Sequence, residues 1–449
     1  MQAHILKLLD QSRNSFWIIP LGMCIIAIIL SWTLTKLDAH QGVQTWVATL
    51  NLFSTDPDGA RATLSTIASV MMGTAGVVFS IVIVVLSLAS SQFGPRMPRS
   101  FVHDRVNQVT LGTFVSTFLY CLLVLSAIDK TVPVLSLGLA CLLAIANILV
   151  LIIFIHHTSQ LIQAPHVINA VGREMDTTLN RLFPAQQNYP ADEHPEFTGD
   201  IKTLGKSILD GGQAIRSNKS GYVQTLGFSS LYELAQGSNA AIYVLVRPGD
   251  YCLNNQVLAL YAHDEEMSSN MADRIRGQIL LGNNRTPIQD LAYAIDQLQE
   301  IALRALSPGI NDPFTAINAI DRMASGLVEL CQRKAQREVI TDKEGIPRLL
   351  TNPISRENII DSAFSPLRNH AIDHIPVCRR LIEMAGAIAA LTPEQHLREA
   401  LMGQARLMRD TVAASNKPRH DIAHLEAKYQ TMMEHLEKEG IQKPVTTMV

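Results

Sequence analysis

The chain has 449 residues, of which 47% are hydrophobic, and a formal net charge of −3. This length predicts at least two structural units, and the near-neutral charge, without interleaved basic and aromatic residues, argues against a nucleic-acid partner. The six cysteines stand singly, and no C-x-x-C pair or Cys/His spacing would close a zinc site, so we expect no metal and no other cofactor.

Four apolar segments in residues 1–156 are long enough to cross a lipid bilayer, so this region is predicted to form a four-helix transmembrane domain. A spanning helix needs about 20 apolar residues. The segments are Phe16–Leu34, Ala62–Ser91, Val109–Ile128 and Val134–His156. The first is longer than the apolar core of a cleavable signal and lacks a small-x-small cleavage site, so we interpret it as a span.

The second segment is the longest. No charged residue lies between Arg61 and Arg96, and a helix over Ala62–Ser91 would be about 45 Å long. Because the hydrocarbon core of a bilayer is about 30 Å thick, this helix must tilt, extend beyond the bilayer or break.

The basic residues of the short loops predict the orientation, because positively charged loops stay in the cytoplasm. On one side of the membrane lie Lys7, Arg13, Arg96, Arg99 and Arg105, and on the other Lys36, Arg61 and Lys130. This excess predicts a protein of the bacterial inner membrane with both termini in the cytoplasm.

Small and polar residues of the second span lie on one helix face. They are Thr66, Ser69, Gly73, Gly76, Ser80 and Ser87, at separations of three, four or seven residues. Two interpretations stay open: close helix packing, which small residues permit, or the lining of a pore in a homo-oligomer. No Asp, Glu, Lys or Arg lies within any span, which argues against an ion-coupled carrier.

Several blocks of sequence resemble one bacterial family of predicted membrane proteins. They include DGARATLSTIAS at 58–69, SGYVQ at Ser220–Gln224, VRPGDY at Val246–Tyr251 and EIALRALSPGINDPFTA at Glu300–Ala316. The similarity extends to about Leu330. It implies an integral membrane protein, and it implies no particular activity, because the family has no established one.

After the spans the sequence predicts a mainly helical α+β part, with a helical connector at 157–215, a small β-rich module at 216–283 and a helical domain at 284–449. Residues Ile201–Ile215 are predicted as a helix. Tyr222–Phe228, Ala241–Val246 and Gln256–Tyr261 are rich in β-formers and predict strands. The stretch Gly221–Ala262 resembles a barrel of the biotinyl or lipoyl type, without the lysine that such a carrier modifies.

The C-terminal helices are predicted from their capping residues. Thr286–Gln289 is typical of a capping box with Pro at the first helical position, opening a helix that ends at Leu306. Asp312 and Pro313 start the next helix, and Pro393–Lys438 is predicted as a single long one.

Polar residues flanking the helix that ends at Leu306 form a second candidate site. They are Arg285, Gln289, Asp290, Glu300, Arg304, Ser307, Asn311 and Asp312. In one interpretation the turn Ser307–Pro313 is only a connector, so Asn311→Ala should be nearly neutral and Asp312→Ala should cost about 1 kcal/mol through a lost helix cap. In the other, the residues form a pocket for a small anion or a contact with another subunit.

No nucleophile, metal or dinucleotide pattern supports an enzyme, and TLGKS at Thr203–Ser207 lacks the spacing of a phosphate-binding loop. We therefore expect a homo-oligomeric passive channel in the lipid bilayer, with a cytoplasmic domain for gating or assembly. The alternative is a membrane-anchored sensor or scaffold without transport.

Overall fold

The computed structural model of the chain describes residues 17–40, 56–94, 105–128, 132–161, 163–183 and 195–439. The chain divides into two compact units, unit 1 at Met1–Val167 and unit 2 at Ile168–Val449. Among the basic residues that predict the orientation, only Lys36, Arg61 and Arg105 lie in the described ranges.

Unit 1 contains four long helices. They are α1 (Ile18–Asp38), α2 (Pro57–Phe93), α3 (Arg105–Ser126) and α4 (Val134–Leu161). Within the described residues, these four are the helices long and apolar enough to cross a membrane. The prediction that the four apolar segments are helices is therefore confirmed.

Helix α2 is continuous over 37 residues, so it is about 55 Å long and does not break. It begins at Asp56, whose carboxylate accepts a hydrogen bond from the Gly59 N–H at 3.0 Å, and Pro57 occupies the first turn, where a missing N–H costs nothing. In a membrane, a helix of this length must tilt or extend past the bilayer.

Helix α3 packs against the other three helices of unit 1. Its Tyr120 hydroxyl donates to the Ser136 carbonyl oxygen at 3.0 Å, and Asn147 of α4 donates to the Thr117 hydroxyl at 2.9 Å. At the end of α1, Asp38 accepts from the Ser136 N–H at 3.0 Å. These bonds satisfy polar groups that would otherwise be costly in an apolar core.

Unit 2 is mainly helical, with eight short strands among its described residues. The helices are α5 (Ala164–Leu182, across the unit boundary), α6 (Ile201–Gly211), α7 (Phe228–Gly237), α8 (Ser269–Arg276), α9 (Leu291–Ala305), α10 (Pro313–Gln332), α11 (Arg356–Ala371), α12 (Ile375–Leu391), α13 (Gln395–Ala413) and α14 (Arg419–Glu439). The strands are β1 (Gln213–Arg216), β2 (Gly221–Leu226), β3 (Ala241–Val244), β4 (Tyr251–Cys252), β5 (Val257–Ala262), β6 (Ile279–Gly282), β7 (Val339–Thr341) and β8 (Pro347–Leu350).

The strands form two sheets, ordered β1-β5-β3-β8-β7 and β4-β2-β6. All pairs are antiparallel except β3 with β8, where Ile242 lies opposite Leu349. The barrel predicted over Gly221–Ala262 is therefore wrong, because the edge of β3 is covered by a strand from much later in the chain. The two sheets share one apolar core, which includes Ile215, Val223, Ile242, Leu258, Ile279 and Leu349.

The predicted helix Ile201–Ile215 is too long by four residues. Helix α6 ends at Gly211 and β1 begins at Gln213. The Gly212 N–H bonds to the Ile208 carbonyl oxygen at 2.8 Å, and two consecutive glycines end the helix because glycine disfavours a helix interior. Residues 213–216 then pair with β5.

The helix predicted from Thr286 begins instead at Leu291, with Asp290 as its cap. The Gln289 side chain, expected to cap the helix, extends β2: it accepts from the Leu226 N–H at 2.7 Å and donates to the Leu226 carbonyl oxygen at 3.1 Å. The Gln289 side chain therefore bonds to the backbone of a strand and not to the N-terminus of its own helix.

The helix predicted from Asp312 and Pro313 is confirmed as α10. The single helix predicted over Pro393–Lys438 is wrong, because α13 ends at Ala413 and α14 begins at Arg419. Pro418 lies in this break, and proline has no N–H to continue a helix. The break lets α13 and α14 both pack against α12.

Candidate functional site

The small-residue stripe of α2, defined as Thr66, Ser69, Gly73, Gly76, Ser80 and Ser87, is exposed along its whole length. The buried face of α2 consists of Ala60, Leu64, Ala68, Met71, Ala75, Val78, Val85 and Ala89. With 3.6 residues per turn, the centres of these two faces are roughly 170° apart. The stripe is therefore on the side of α2 that is farthest from the other helices of unit 1.

The two glycines of the stripe have open space beside them. A Cβ atom added at Gly73 or at Gly76 would meet nothing within 4 Å. Close packing within one copy of the chain therefore does not explain why these positions are glycine.

The hydroxyl groups of Thr66, Ser69 and Ser80 donate to carbonyl oxygens of their own helix. Thr66 donates to the Ala62 carbonyl oxygen at 2.8 Å, and Ser80 donates to the Gly76 carbonyl oxygen at 2.9 Å. Each hydroxyl oxygen still has a free acceptor site on the outer surface of the helix. The stripe is thus weakly polar and suits either water or a closely packed neighbour.

The outward face of α4 is different in character. It carries Leu142, Ile145, Leu149 and Ile152, whose exposed fractions are 59–61%. Bulky aliphatic side chains of this kind suit contact with lipid tails, whereas small residues are enriched where membrane helices meet. The contrast marks the α2 stripe as a candidate contact surface for another protein chain.

The second predicted site does not form one cluster. Arg285, Gln289 and Asp290 lie at the start of α9, and Glu300, Arg304, Ser307, Asn311 and Asp312 lie at or beyond its other end. Helix α9 has 15 residues, so its two ends are about 22 Å apart, and Asp290 at its start is about 15 Å along the axis from Glu300. The predicted site is therefore two separate groups of residues.

The group at the end of α9 forms a turn. Arg304 pairs with Glu300 at 3.6 Å, Ser307 donates to the Arg304 carbonyl oxygen at 2.6 Å, and Asp312 accepts from the Thr315 N–H at 3.1 Å. These are contacts that connect one helix to the next.

Asn311 has a φ of 50°. This left-handed conformation is tolerated by asparagine better than by alanine. The expectation that Asn311→Ala is nearly neutral is therefore corrected: alanine should be strained there, and glycine is the substitution that the backbone permits.

Asp312→Ala should lower the free energy of unfolding by about 1 kcal/mol, because α10 loses its cap. The hydrogen bond from Thr315 holds the pKa of Asp312 below its ordinary value. This contribution is therefore complete above the unfolded pKa of about 4 and is lost as the pH falls through the lower, folded value. Unfolding of the full chain in detergent should show the gap to wild type narrowing at acid pH; a gap independent of pH would contradict the assignment.

The group at the start of α9 is an ion network. The Arg285 guanidinium donates to both carboxylate oxygens of Asp290, at 2.8 and 3.1 Å, and to Asp296 at 2.6 Å. Asp290 is buried and also accepts from the Tyr293 N–H at 3.0 Å, which caps α9. Burial alone would lower the pKa of Arg285, but its hydrogen bonds to Asp290 and Asp296 raise it above the ordinary value.

Gly249 of the VRPGDY block lies directly against this network. Its φ is 95°, and an added Cβ would be 2.3 Å from Asp290 Oδ2. The Gly249 N–H donates to the Val223 carbonyl oxygen at 2.8 Å. The blocks SGYVQ and VRPGDY therefore meet beside Asp290. The sequence did not predict this contact, because VRPGDY was recognised there only as a block that resembles the family.

A cavity of about 240 Å³ adjoins the network. Its lining includes Phe183, Leu226, Phe228, Arg247, Arg285 and Asn352. Arg285, Gln289 and Asp290 of the predicted site line it as well, whereas Arg247 and Asn352 were not predicted. One signal in the sequence could have identified Arg247. It lies inside the VRPGDY block that resembles the family, and it falls between two predicted strands, so it is not simply a charged residue on the exposed face of a helix.

Unit 1 has four helices that are candidates to span a membrane, and unit 2 is large and mainly helical with a small sheet region. The chain belongs to the family described as "Predicted membrane protein (DUF2254)", which matches residues 13–387.

Relatives in two mycobacteria are similar to this chain. The uncharacterized protein Rv1290c of Mycobacterium tuberculosis (strain ATCC 25618 / H37Rv) and the uncharacterized protein Mb1321c of Mycobacterium bovis are each 28% identical to it over 348 residues. The matched region is 75% of this chain and 64% of each relative. No solved structure matches the chain.

Proposed function

We propose that several copies of this chain assemble in the bacterial inner membrane with their α2 stripes facing one another, and that the path between them is a passive channel. The observation that carries this proposal is the position of the stripe. It is exposed on the side of α2 opposite the packed face, and a Cβ added at Gly73 or Gly76 meets nothing within 4 Å among the residues that the structure describes.

Three further features support a pore over a carrier or an enzyme. Ala62–Ser91 contains no ionisable side chain, so a path along α2 has neither a proton relay nor a fixed charge to hold an ion. The stripe hydroxyls have acceptor sites for water. No pattern in the sequence supplies a catalytic nucleophile. Unit 2 then serves gating or assembly.

The alternative is a membrane-anchored sensor or scaffold, in which the stripes form a dry interface and nothing is transported. The ligand-sized cavity in unit 2 favours this alternative. In this alternative the four helices only anchor unit 2, so the two functions differ in whether water reaches the stripe.

Ser80→Asp separates the two functions. In a wetted pore the carboxylate stays hydrated, so the variant should assemble and favour potassium over chloride in flux measurements on proteoliposomes. In a dry interface the charge is buried at high cost and assembly fails. Ile148→Asp is the control, because Ile148 has an exposed fraction of 58% on the bulky face of α4 and a charge there should prevent folding in lipid. Misassembly of the Ser80 variant would eliminate the channel.

We also propose that both termini and residues 96–105 are cytoplasmic, as the arginine excess indicates. In a background without the six native cysteines, Asp56→Cys should react with an impermeant maleimide added to intact cells, and Arg99→Cys should react only after permeabilisation. Labelling of position 99 in intact cells would reverse the orientation.

A further inference from the structure

The lining of the unit 2 cavity contains a second arginine, Arg247, which differs from Arg285 in its ion pairing. The Arg247 guanidinium donates to Asn352 Oδ1 at 2.7 Å. Across the described ranges, no carboxylate lies within 4.0 Å of it. Arg285, in contrast, is matched by both Asp290 and Asp296. The positive charge available in this cavity is therefore that of Arg247.

The nearest acidic residue in sequence is occupied elsewhere. Asp250 Oδ2 accepts from the backbone N–H of Arg247 at 2.8 Å, so this carboxylate closes the turn and does not form an ion pair with the guanidinium. The Asn352 side chain accepts from Arg247 through its oxygen, so its amide nitrogen remains a donor. Arg247 and Asn352 together offer several N–H donors.

The rest of the lining combines apolar residues with Asp250, Gln289, Asp290, Gln336 and Thr351. Asp290 is matched by Arg285, and Asp250 accepts from the backbone N–H of Arg247. Phe183, Leu226 and Val246 are buried, and Phe228 is half-buried, among the lining residues. Ligand pockets typically combine apolar walls with a few polar groups that orient the ligand, and they have volumes of about 300–1,000 Å³. A volume of about 240 Å³ is slightly below that range, so the cavity suits a ligand smaller than a typical drug-sized molecule.

We propose that this cavity binds a small organic anion, a carboxylate on a compact apolar body, with Arg247 as the group that binds the carboxylate. A planar guanidinium matches a carboxylate through two parallel hydrogen bonds. The Asn352 amide supplies a further donor, and the aromatic walls hold the apolar body. The proposal does not depend on the channel function.

An occupant would contact the end of α5. Leu182 and Phe183 line the cavity, and their carbonyl oxygens accept from Gln336, at 3.2 Å, and from Arg333. Helix α5 begins at Ala164, shortly after α4 ends in the sequence. The site is thus formed partly by the end of the helix that follows the last candidate span.

The test is calorimetric titration of the full chain in detergent with three probes of matched size: benzoate, neutral benzamide and cationic benzylamine. Benzoate should bind saturably, and benzamide at least about tenfold more weakly, since hydrogen bonds to charged groups contribute more than neutral ones. Benzylamine should not bind. No saturable binding of benzoate, or equal binding of benzylamine, would overturn the proposal.

Two variants assign the binding to Arg247. Arg247→Met should weaken benzoate binding by about tenfold or more, while Arg274→Met, at an exposed arginine outside the cavity lining, should leave it unchanged. Asn352→Asp keeps the shape of the site and places a carboxylate against Arg247. It should abolish benzoate binding without lowering thermal stability, so a folding defect in the methionine variant does not confuse the result. Retained binding in Asn352→Asp would contradict the role of Arg247.

Discussion

Gly76→Leu is expected to dissociate the assembly while leaving each copy of unit 1 folded. Within the chain, a Cβ at this position meets nothing within 4 Å, and leucine is favoured over glycine in a helix interior by somewhat less than 1 kcal/mol. A loss of assembly would therefore not arise from a clash with the described residues of the same copy. A leucine side chain at the centre of the stripe would hold neighbouring α2 helices apart and remove their close packing.

The measurement is the oligomer mass, by light scattering in detergent and by cross-linking in lipid nanodiscs. Gly22→Leu is the matched control, because Gly22 lies in α1 and its added Cβ also meets nothing within 4 Å. We expect the Gly22 variant to keep the wild-type mass and the Gly76 variant to become monomeric, with an unchanged or higher melting temperature. If both variants kept the wild-type mass, the stripe would face lipid, and the proposed assembly would be wrong.

The positions of the four apolar helices could be predicted from the sequence. Whether the stripe of α2 faces the other helices of unit 1 or lies exposed could not. A run of about 20 apolar residues is a local property, and it decides whether a segment can span a bilayer. Spacing establishes that Ser69, Gly73 and Ser80 share one face, but it does not say what that face touches. That depends on which side of α2 packs against α3, and the packed side proved to be the one with Leu64 and Val78.

In unit 2, local signals failed where distant residues compete for the same groups. Thr286–Gln289 has the pattern of a capping box, yet Gln289 bonds to Leu226 of β2. In the same way, the sequence predicted that β3 belongs to a small barrel over Gly221–Ala262, but β3 pairs with β8, which lies much later in the chain. Where no distant partner intervenes, as at Asp312, the local prediction of a helix start was confirmed.

Gly249→Ala is expected to be the most damaging small substitution in unit 2, with a cost of about 3–5 kcal/mol in the free energy of unfolding. Two effects combine. Alanine is strained at a φ of 95°, and its Cβ would be 2.3 Å from Asp290 Oδ2. The carboxylate must move, which weakens its bonds to Arg285 and its cap on α9, and a buried charge that loses its partner is costly.

Gly345→Ala isolates the backbone effect. Gly345 has a φ of 81°, and its added Cβ would meet nothing within 4 Å, so this variant should lose only the roughly 1 kcal/mol of left-handed strain. Unfolding of the full chain in detergent would compare the two variants. A similar loss for both would mean that the contact with Asp290 contributes nothing.

A double-mutant cycle then tests whether the clash is the cause. Asp290→Ser keeps a capping hydroxyl for α9, shortens the side chain that Gly249→Ala would strike, and leaves Arg285 its bond to Asp296. The combined variant should therefore lose less stability than the sum of the two single variants, by about 1–3 kcal/mol, because the second substitution removes the atom that the first one strikes. Additive losses would show that Gly249 and Asp290 are independent, and that Gly249 is required only for its backbone conformation.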